Sequence, residues 1–372
     1  MNGSVGGQDG SNFQTESVST FGCLSLPGEA QGTSLQRLFV PERSPLTRVV
    51  NAYLDNPRPL FSRLPVSYRA IPLGVRARLL GILARLRARP AIEFPLWPIE
   101  RSVDEAIMRA WREAAEQDEV VLNPPRYDGR TAALLITHDL DSAREIGFVE
   151  PLREIERRAG LPSAFGFVPE LSWPTEDFAR SLVAEGCEVY WHDIGHNGRL
   201  PYLGKPAIRA AFDRVSEESP WAPSLMRAFR SGQLLMSRDL FEVVAERFEV
   251  DLSLPDTERD GPYGAAAGCG TVFPFSFRNL LEIPLSMPQD VYLRQVYGLS
   301  PEDALRTWIN KLAYIKSIGG VAVLNVHPIW ANPTEPAMLR AFERFVGEAV
   351  GDPELLVTTP VVLARLIAAL AG

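Results

Sequence analysis

The sequence predicts an α/β protein whose main domain is a parallel β/α barrel, preceded by an N-terminal extension. From Thr131 onward, short β-type runs alternate with amphipathic helical stretches, which is the pattern of right-handed β-α-β units around a parallel sheet. Seven or eight such repeats favour closure into a barrel over an open sheet. No G-x-G-x-x-G motif follows the first strand, so a dinucleotide-binding fold lacks its main support.

The predicted elements follow one another along the barrel. Strands are expected at Ala132–His138, Ala164–Val168, Cys187–His192, Met226–Arg230, Phe248–Leu252, Leu281–Leu285, Val321–Val326 and Leu355–Thr358. Helices are expected at Ser142–Ala159, Glu176–Ala184, Pro206–Glu217, Arg238–Arg247, Pro301–Ile318 and Pro336–Val350. Glycines directly precede the strands that begin at Cys187 and Val321, as is typical where a helix ends.

The chain before the barrel divides into two parts. Residues 1–36 are rich in Gly, Ser, Thr and Gln without an apolar period, which predicts a disordered tail. Residues 37–125 predict a helical and extended extension with a helix at Val103–Glu116, and the barrel is expected at 126–372. Within the extension, residues 74–90 predict a basic amphipathic helix. It either packs on the protein with its arginines in solvent, or contacts anionic lipid or an acidic protein face.

The composition disfavours several classes of protein. The 372 residues are 46% hydrophobic and carry a net charge of −8, which fits a globular protein and disfavours a nucleic-acid partner. Three scattered cysteines predict neither a disulfide framework nor a thiolate zinc site. No apolar run approaches the roughly 20 residues of a transmembrane helix. The N-terminus does not have the pattern of a signal peptide, so we expect a cytoplasmic protein.

Histidines mark the expected active site. The chain has four, and each lies at or just beyond the end of a predicted strand: His138, His192, His196 and His327. In a parallel β/α barrel, all strand–helix loops open on one rim, and catalytic groups gather there. The sequence therefore predicts an active site at this rim.

The first motif at the rim is THDLD, residues 137–141. Alternation along a strand places Asp139 and Asp141 on one side and His138 on the other. Two carboxylates held close together need a nearby cation if both are to stay ionised, which suggests one metal ligand and one base. The alternative is that one of them caps the helix that begins near Ser142.

The second motif is HDIGH, residues 192–196. His192 and His196 can converge on one ion if the segment turns helically after the strand. Two imidazoles and a carboxylate, with water at the remaining positions, form the open coordination of a catalytic divalent metal. A structural pair of histidines is the alternative.

Other side chains lie near the same rim. His327 ends the strand GVAVLNV, as a general acid or as a hydrogen-bonded structural residue. Arg230 ends the fourth strand, where it would keep a carboxylate base ionised or would be an ordinary surface arginine. Trp173, Trp191 and Trp330 offer flat faces for sugar rings, or they simply pack within the protein.

In this order, the motifs resemble those of the polysaccharide deacetylases, the NodB-homology carbohydrate esterases, over about two thirds of the chain from Thr131. THDLD stands where the family has its T-F-D-D-G motif, in the T-H-D-V-D variant. HDIGH stands for the H-[S/T]-x-x-H metal motif, and LNVH for the closing L-x-x-H. The resemblance implies a distorted (β/α)7–8 barrel and a divalent metal, zinc first, with cobalt, nickel, manganese or iron as alternatives.

The resemblance also implies a role for each motif residue. Asp139 is similar to the catalytic base, Arg230 to the arginine that pairs with it, and His327 to the acid. The implied metal ligands are Asp141, His192 and His196. Because Leu140 separates the two carboxylates, which of them ligates the metal stays open.

Two further segments depart from or extend the family pattern. Asp193 stands where the family has Ser or Thr, and residues 229–232 lack the Arg-Pro-Pro that accompanies the oxyanion donors. The stretch Leu280–Asp290 is similar to a segment that shapes the substrate groove in related biosynthetic members.

These inferences predict hydrolysis of the acetamide C–N bond of an N-acetylated sugar or glycoconjugate. A metal-activated water would attack, Asp139 would accept its proton, and His327 would protonate the departing amine. Three alternatives remain: a cyclic amide or ureide hydrolase on the same barrel, an HD-type phosphohydrolase suggested by HDIG, and a non-catalytic glycan-binding barrel. HD-type sites lie on helices of all-α domains, whereas this motif follows the β-type run EVYW.

Overall fold

The computed structural model describes residues 45–55, 57–63, 71, 75, 78, 79, 82, 103–109, 127–256, 268–331 and 336–371. The disordered tail predicted at 1–36 lies outside these residues, as does most of the basic helix predicted at 74–90. Of the helix predicted at Val103–Glu116, residues 103–109 are described and are helical.

The described residues form one sheet of nine strands. The strands are β1 Ala132–Leu140, β2 Ala164–Phe167, β3 Glu188–His192, β4 Ala228–Arg230, β5 Val250–Asp251, β6 Phe275–Phe277, β7 Leu280–Glu282, β8 Val321–Asn325 and β9 Leu355–Thr358. All eight predicted strands are present. The sequence pattern did not predict β6, which pairs antiparallel with β7 across a tight turn and is the exception in an otherwise parallel sheet.

Helices alternate with the strands as expected. The α-helices are α1 Pro45–Leu54, α2 Leu60–Arg63, α3 Ala143–Ile146, α4 Val149–Ala159, α5 Glu176–Ala184, α6 Lys205–Glu218, α7 Ala222–Leu225, α8 Arg238–Ala245, α9 Pro301–Ile318, α10 Pro336–Val350 and α11 Pro360–Ala371. The single helix predicted at Ser142–Ala159 is two helices, α3 and α4, because the chain turns at Gly147 and Phe148. Helices α1, α2, α7 and α11 were not predicted.

Strand β1 is the centre of the sheet, and all nine of its residues are buried. Strand β8 pairs along one edge, while β9 and β2 share the other edge, β9 beside its first half and β2 beside its second half. The segment that follows β7 forms hydrogen bonds with β8, and these bonds link the two ends of the sheet. There the Met287 N–H donates to the Val323 carbonyl at 3.1 Å, and Ser286 Oγ donates to the Val321 carbonyl at 2.6 Å. The result is a distorted barrel, as predicted.

Side-chain alternation on β1 separates an inner from an outer core. Ala133 and Leu135 pack inside the barrel with residues of β3, β5, β7 and β8. Leu134 and Ile136 pack outside against the helices. Continued along the strand, this alternation directs Asp139 into the barrel mouth.

The described part of the extension packs on the barrel. In α1, Leu46, Val50, Tyr53 and Leu54 are buried in the same outer core as the helix α8 residue Phe241. This spacing places them on one face of the helix.

Three described apolar side chains of the helix predicted at 74–90 are exposed, whereas the apolar face of α1 is buried. Val75, Leu79 and Ile82 are 47, 48 and 53% exposed, so these three side chains do not pack into the described core. Both interpretations of the helix stay predictions. No helix among the described residues is both long and apolar enough to cross a membrane.

Candidate metal centre and active site

The predicted site residues come from four strands whose carboxyl ends meet at one rim. Asp139 is the second-to-last residue of β1, and His192 and Arg230 are the last residues of β3 and β4. His327 follows β8 by two residues. The parallel pairing of β1 with β2 and β8, and of β3 with β4, brings these ends together.

Asp141, His192 and His196 form a cluster in which each residue offers one ligand atom within 4.8 Å of the others. His192 Nε2 lies 3.2 Å and His196 Nε2 3.3 Å from Asp141 Oδ1. Both histidines are buried, and Asp141 is half-buried. Two imidazole nitrogens and a carboxylate oxygen therefore face one point at the rim.

The donor chemistry of this cluster fits a divalent cation. His192 Nδ1 lies 3.1 Å from the Arg230 carbonyl, which can only accept, so Nδ1 carries the proton and the Nε2 lone pair faces the cluster. Burial works against charge on Asp141, but His196 and His192 hold the pKa of this carboxyl well below its usual range. An ionised carboxylate and a correctly oriented imidazole are the state that a metal requires.

The HDIGH segment does not form the helical turn that was expected to bring His192 and His196 to one ion. Asp193 and His196 adopt left-handed conformations, with φ of 61° and 46°, and the chain bends between them. The Asp193 N–H donates to the Arg230 carbonyl at 2.9 Å, and its Oδ1 accepts from the Ile194 N–H. Asp193 is thus used in shaping the bend and is not a member of the ligand cluster.

Asp139 lies beside the cluster and is held by three side chains. Arg230 Nη1 is 3.2 and 3.3 Å from its two oxygens, the Tyr190 hydroxyl donates at 2.5 Å, and Asn325 Nδ2 donates at 2.8 Å. Burial alone would raise the pKa of Asp139, but the charges of Arg230 and His192 lower it to about 2. This geometry distinguishes the two carboxylates, because only Asp141 approaches both histidines of the HDIGH motif.

His327 is paired with an aspartate that the motifs did not reveal. Its Nδ1 lies 2.7 Å from Asp290 Oδ1, and its backbone N–H donates to Asp290 Oδ2 at 2.6 Å. Burial would lower the pKa of His327, but Asp290 raises it to about 10, helped by Asp141 and Asp139. The imidazole is therefore positively charged at neutral pH and lies close to both carboxylates of the first motif.

The sequence analysis did not identify several residues that contact the candidate site, and two of them lie two positions before a predicted site residue. Tyr190 precedes His192 by two residues, and Asn325 precedes His327 by two, so each pair shares a strand face. Glu145 accepts from the Asp141 N–H at 2.7 Å, and burial together with the Asp141 charge raises its pKa to about 8. Glu145 carries no local sequence signal. Asp290 ends the stretch Leu280–Asp290 that was compared with a groove-shaping segment, but nothing in that stretch indicates its pairing with His327.

His138 and Trp191, both noted in the sequence analysis, lie away from the metal-binding cluster. His138 points to the outer face of β1, where Nε2 is 2.7 Å from Glu156. Trp191 is 2% exposed, and its ring packs against Trp173 at 5.3 Å within the outer core. Trp191 is therefore buried in the aromatic packing and offers no open face to a sugar, whereas Trp173 is only partly buried, and its role stays a prediction. The side chain of Trp330 lies outside the described part, so its role stays a prediction.

The fold also argues against the HD-type interpretation. The His192–Asp193 pair follows a strand of a parallel sheet, whereas HD-type sites lie on helices of all-α domains. Asp193 is not part of the ligand cluster among the described residues.

Solved structures with TM-scores above 0.5 share the fold of this chain. The chain is similar to a protein from Mycobacterium smegmatis assigned as a polysaccharide deacetylase, with a TM-score of 0.53 and 21% identity over 67% of this chain and 95% of that one. It is similar to one from Pseudomonas aeruginosa with the same assignment, with a TM-score of 0.51 and 14% identity over 66% and 94%. An allantoinase matches with a TM-score of 0.49 and 15% identity over 66% and 94%.

No protein-family model and no curated protein matches the sequence. The motif resemblance is confirmed by the first two structures at the level of the fold. The protein has the fold of the polysaccharide deacetylases.

Proposed function

We propose that this protein is a metal-dependent hydrolase that removes the acetyl group from an N-acetylated sugar or glycoconjugate. The observation that carries the proposal is the convergence of Asp141, His192 and His196 at the rim, together with a buried carboxylate, Asp139, and with His327, whose pKa is raised by these aspartates and Asp290. The sugar part of the substrate rests on the resemblance of the motifs and the fold.

The ligand cluster suits a divalent metal of the first transition row. Nitrogen and oxygen donors of this kind favour zinc, with cobalt, nickel, manganese and iron as alternatives. When bound, such an ion lowers the pKa of a water molecule and polarises a carbonyl oxygen. Three protein ligands leave coordination positions for water and substrate, as in catalytic rather than structural sites.

Asp139 is suited to accept the proton of the attacking water. Its Oδ2 lies 3.7 Å from His192 Nε2, so the carboxylate borders the metal cluster without joining both imidazoles. Arg230, Tyr190 and Asn325 fix its orientation, which limits the reorganisation that proton transfer requires.

His327 is suited to protonate the leaving amine. An amide anion is a poor leaving group, so cleavage of a C–N bond needs an acid on that side. Asp290 occupies Nδ1, which leaves Nε2 as the donor toward the mouth of the barrel. Because its pKa is raised to about 10, His327 is in the acidic form throughout the neutral range.

The test combines elemental analysis of purified protein with an acetate-release screen over N-acetylated hexosamines and their nucleotide- and lipid-linked forms. We expect about one divalent ion per chain and acetate release that chelation abolishes and metal addition restores. Asp141→Asn should lose the metal. Asp128→Asn, an exposed carboxylate in a turn before β1, is the matched control and should retain it.

Other outcomes would replace the proposal with one of its alternatives. Ring opening of cyclic ureides without acetate release would assign the protein to the amide and ureide hydrolases of this barrel. Glycan binding by metal-free protein without turnover would favour a non-catalytic barrel. The cytoplasmic location stays a prediction, which cell fractionation tests.

A further inference from the structure

The loop after β4 lies directly against the metal-binding segment. We call residues 231–235 the β4 loop and residues 192–196 the metal loop. At Gly232, a Cβ atom would lie 2.3 Å from Asp193 Oδ2 and 2.8 Å from His196 Cδ2. Contacts this short leave no space for a side chain, so the backbone of the β4 loop forms the wall on which His196 rests.

The end of β4, directly before the β4 loop, positions the other histidine ligand, His192. The carbonyl of Arg230 lies 3.1 Å from His192 Nδ1 and accepts from the Asp193 N–H at 2.9 Å. Movement of this strand end would therefore change the orientation of one imidazole and the backbone that leads to the other.

The β4 loop has a strained backbone. Gln233 and Leu234 both have φ of 57°, the left-handed region that residues with a Cβ rarely adopt. Such conformations persist where surrounding contacts hold them, and they concentrate at functional sites.

Two hydrogen bonds from outside hold this loop. The Ser231 N–H donates to Ser253 Oγ at 2.8 Å, from the segment after β5. The Tyr53 hydroxyl donates to the Leu234 carbonyl at 2.5 Å, and Tyr53 belongs to α1 of the N-terminal extension.

Helix α1 is itself fixed on the barrel. Leu46, Val50 and Leu54 lie in the outer core that also contains Leu200, which follows the metal loop. At the surface, Arg238 Nη2 pairs with Asp55 at 3.1 Å. The Tyr53 hydroxyl is therefore delivered to Leu234 by a helix whose buried face belongs to the same core as Leu200 and whose end is paired with Arg238.

We propose that Tyr53 is a positioning residue of the metal centre, holding the β4 loop against His196 through the carbonyl of Leu234, so that the N-terminal extension completes the active site. The inference rests on the proposed function only in taking His192 and His196 as metal ligands. It assigns a task to a segment that lies before the barrel and carries none of the family motifs.

The test compares Tyr53→Phe with Tyr127→Phe. Tyr127 is a matched control, because it is 2% exposed and its hydroxyl donates to a backbone carbonyl, that of Gly319, at the opposite end of the barrel. Both variants lose one buried hydroxyl–carbonyl hydrogen bond and should lose similar thermal stability. Gly232→Ala, which pushes a methyl group into His196, is the positive control.

The readouts are zinc affinity by chelator competition and the absorption spectrum of the cobalt-substituted protein. We expect Tyr53→Phe to bind zinc about tenfold more weakly, as loss of outer-shell support typically does, and to show a shifted cobalt spectrum. Its kcat should fall with little change in KM. Tyr127→Phe should match the wild type in all three, and Gly232→Ala should lose more affinity than Tyr53→Phe.

Unchanged zinc affinity and cobalt spectrum in Tyr53→Phe would overturn the inference, as would an equal loss in Tyr127→Phe. So would a Gly232→Ala protein with wild-type affinity, since the two loops would then not be coupled. The zinc affinity and the cobalt spectrum are measured without substrate. A wild-type protein that binds zinc and releases no acetate would therefore contradict the proposed deacetylation while leaving the role of Tyr53 to be judged on affinity alone.

Discussion

Two histidine–carboxylate pairs lie on opposite sides of the barrel wall, and they have nearly the same geometry. His138 Nε2 is 2.7 Å from Glu156, and His327 Nδ1 is 2.7 Å from Asp290. One pair lies on the outer face of β1 with no exposed surface, and the other lies at the rim. The short contact by itself therefore does not identify a catalytic histidine.

The difference lies in the second ring nitrogen. His138 Nδ1 is 2.6 Å from the Val326 carbonyl, and Glu156 also receives Arg153 and Ser163 at 2.8 and 2.7 Å, so the outer pair is fully engaged. His327 Nε2 has no hydrogen-bond partner among the residues that the structure describes. An imidazole can transfer a proton to substrate only through a ring nitrogen that the protein leaves accessible.

The largest effect that separates the pairs is expected on turnover. His327→Gln removes the proton donor, so kcat for acetate release should fall by about 10²- to 10⁴-fold, while the metal content stays at the wild-type level. Steady-state kinetics and elemental analysis measure the two quantities. Loss of the metal from this variant would contradict the role of a proton donor.

The corresponding change at the outer pair should affect stability instead. His138→Gln breaks a fully buried pair and leaves Glu156 with less compensation, so the free energy of unfolding should fall by about 3 kcal/mol. Urea denaturation measures it. If this variant were as stable as the wild type but inactive, the distinction between the two pairs would fail.

A smaller effect concerns the pH profile. Asp290 raises the pKa of His327, and the acid must be protonated to act, so activity is lost as pH rises through that pKa. Asp290→Asn should therefore move the alkaline limb of the kcat profile to lower pH, because the raised pKa falls. Glu156→Gln, at the other pair, should leave that limb in place. Equal shifts in both variants would show that the limb reports stability.

The smallest effect is expected at a third buried pair, Asp251 and Glu282, in which both members are carboxyl groups. Burial raises the pKa of Asp251 to about 6, and burial together with the charge of Asp251 raises the pKa of Glu282 well above its ordinary value. The folded state then binds more protons than the unfolded state, so stability decreases as pH rises above about 4.5 toward and beyond 6. Glu282→Gln should reduce this decrease in thermal unfolding between pH 4 and 8. A slope as steep as that of the wild type would exclude the pair as its origin.

The sequence determined the strand–helix alternation and the rim because both depend on local periodicity. Apolar runs with a period of two specify buried strands, and motifs placed at their ends must meet where parallel strands end. The same alternation places Tyr190 on the strand face of His192 and Asn325 on that of His327, since each lies two residues before the histidine. It also placed His138 on the opposite side from Asp139.

Only the tertiary structure decided which distant residues complete the site. Asp290 lies 37 residues from His327, and Tyr53 lies 181 residues from Leu234, so no local pattern links either pair. The bend of the metal loop is likewise set by its neighbours, because left-handed conformations at Asp193 and His196 contradict local preference. Periodicity is a property of adjacent residues, whereas strain and long-range hydrogen bonds are decided by how the packed elements hold one another.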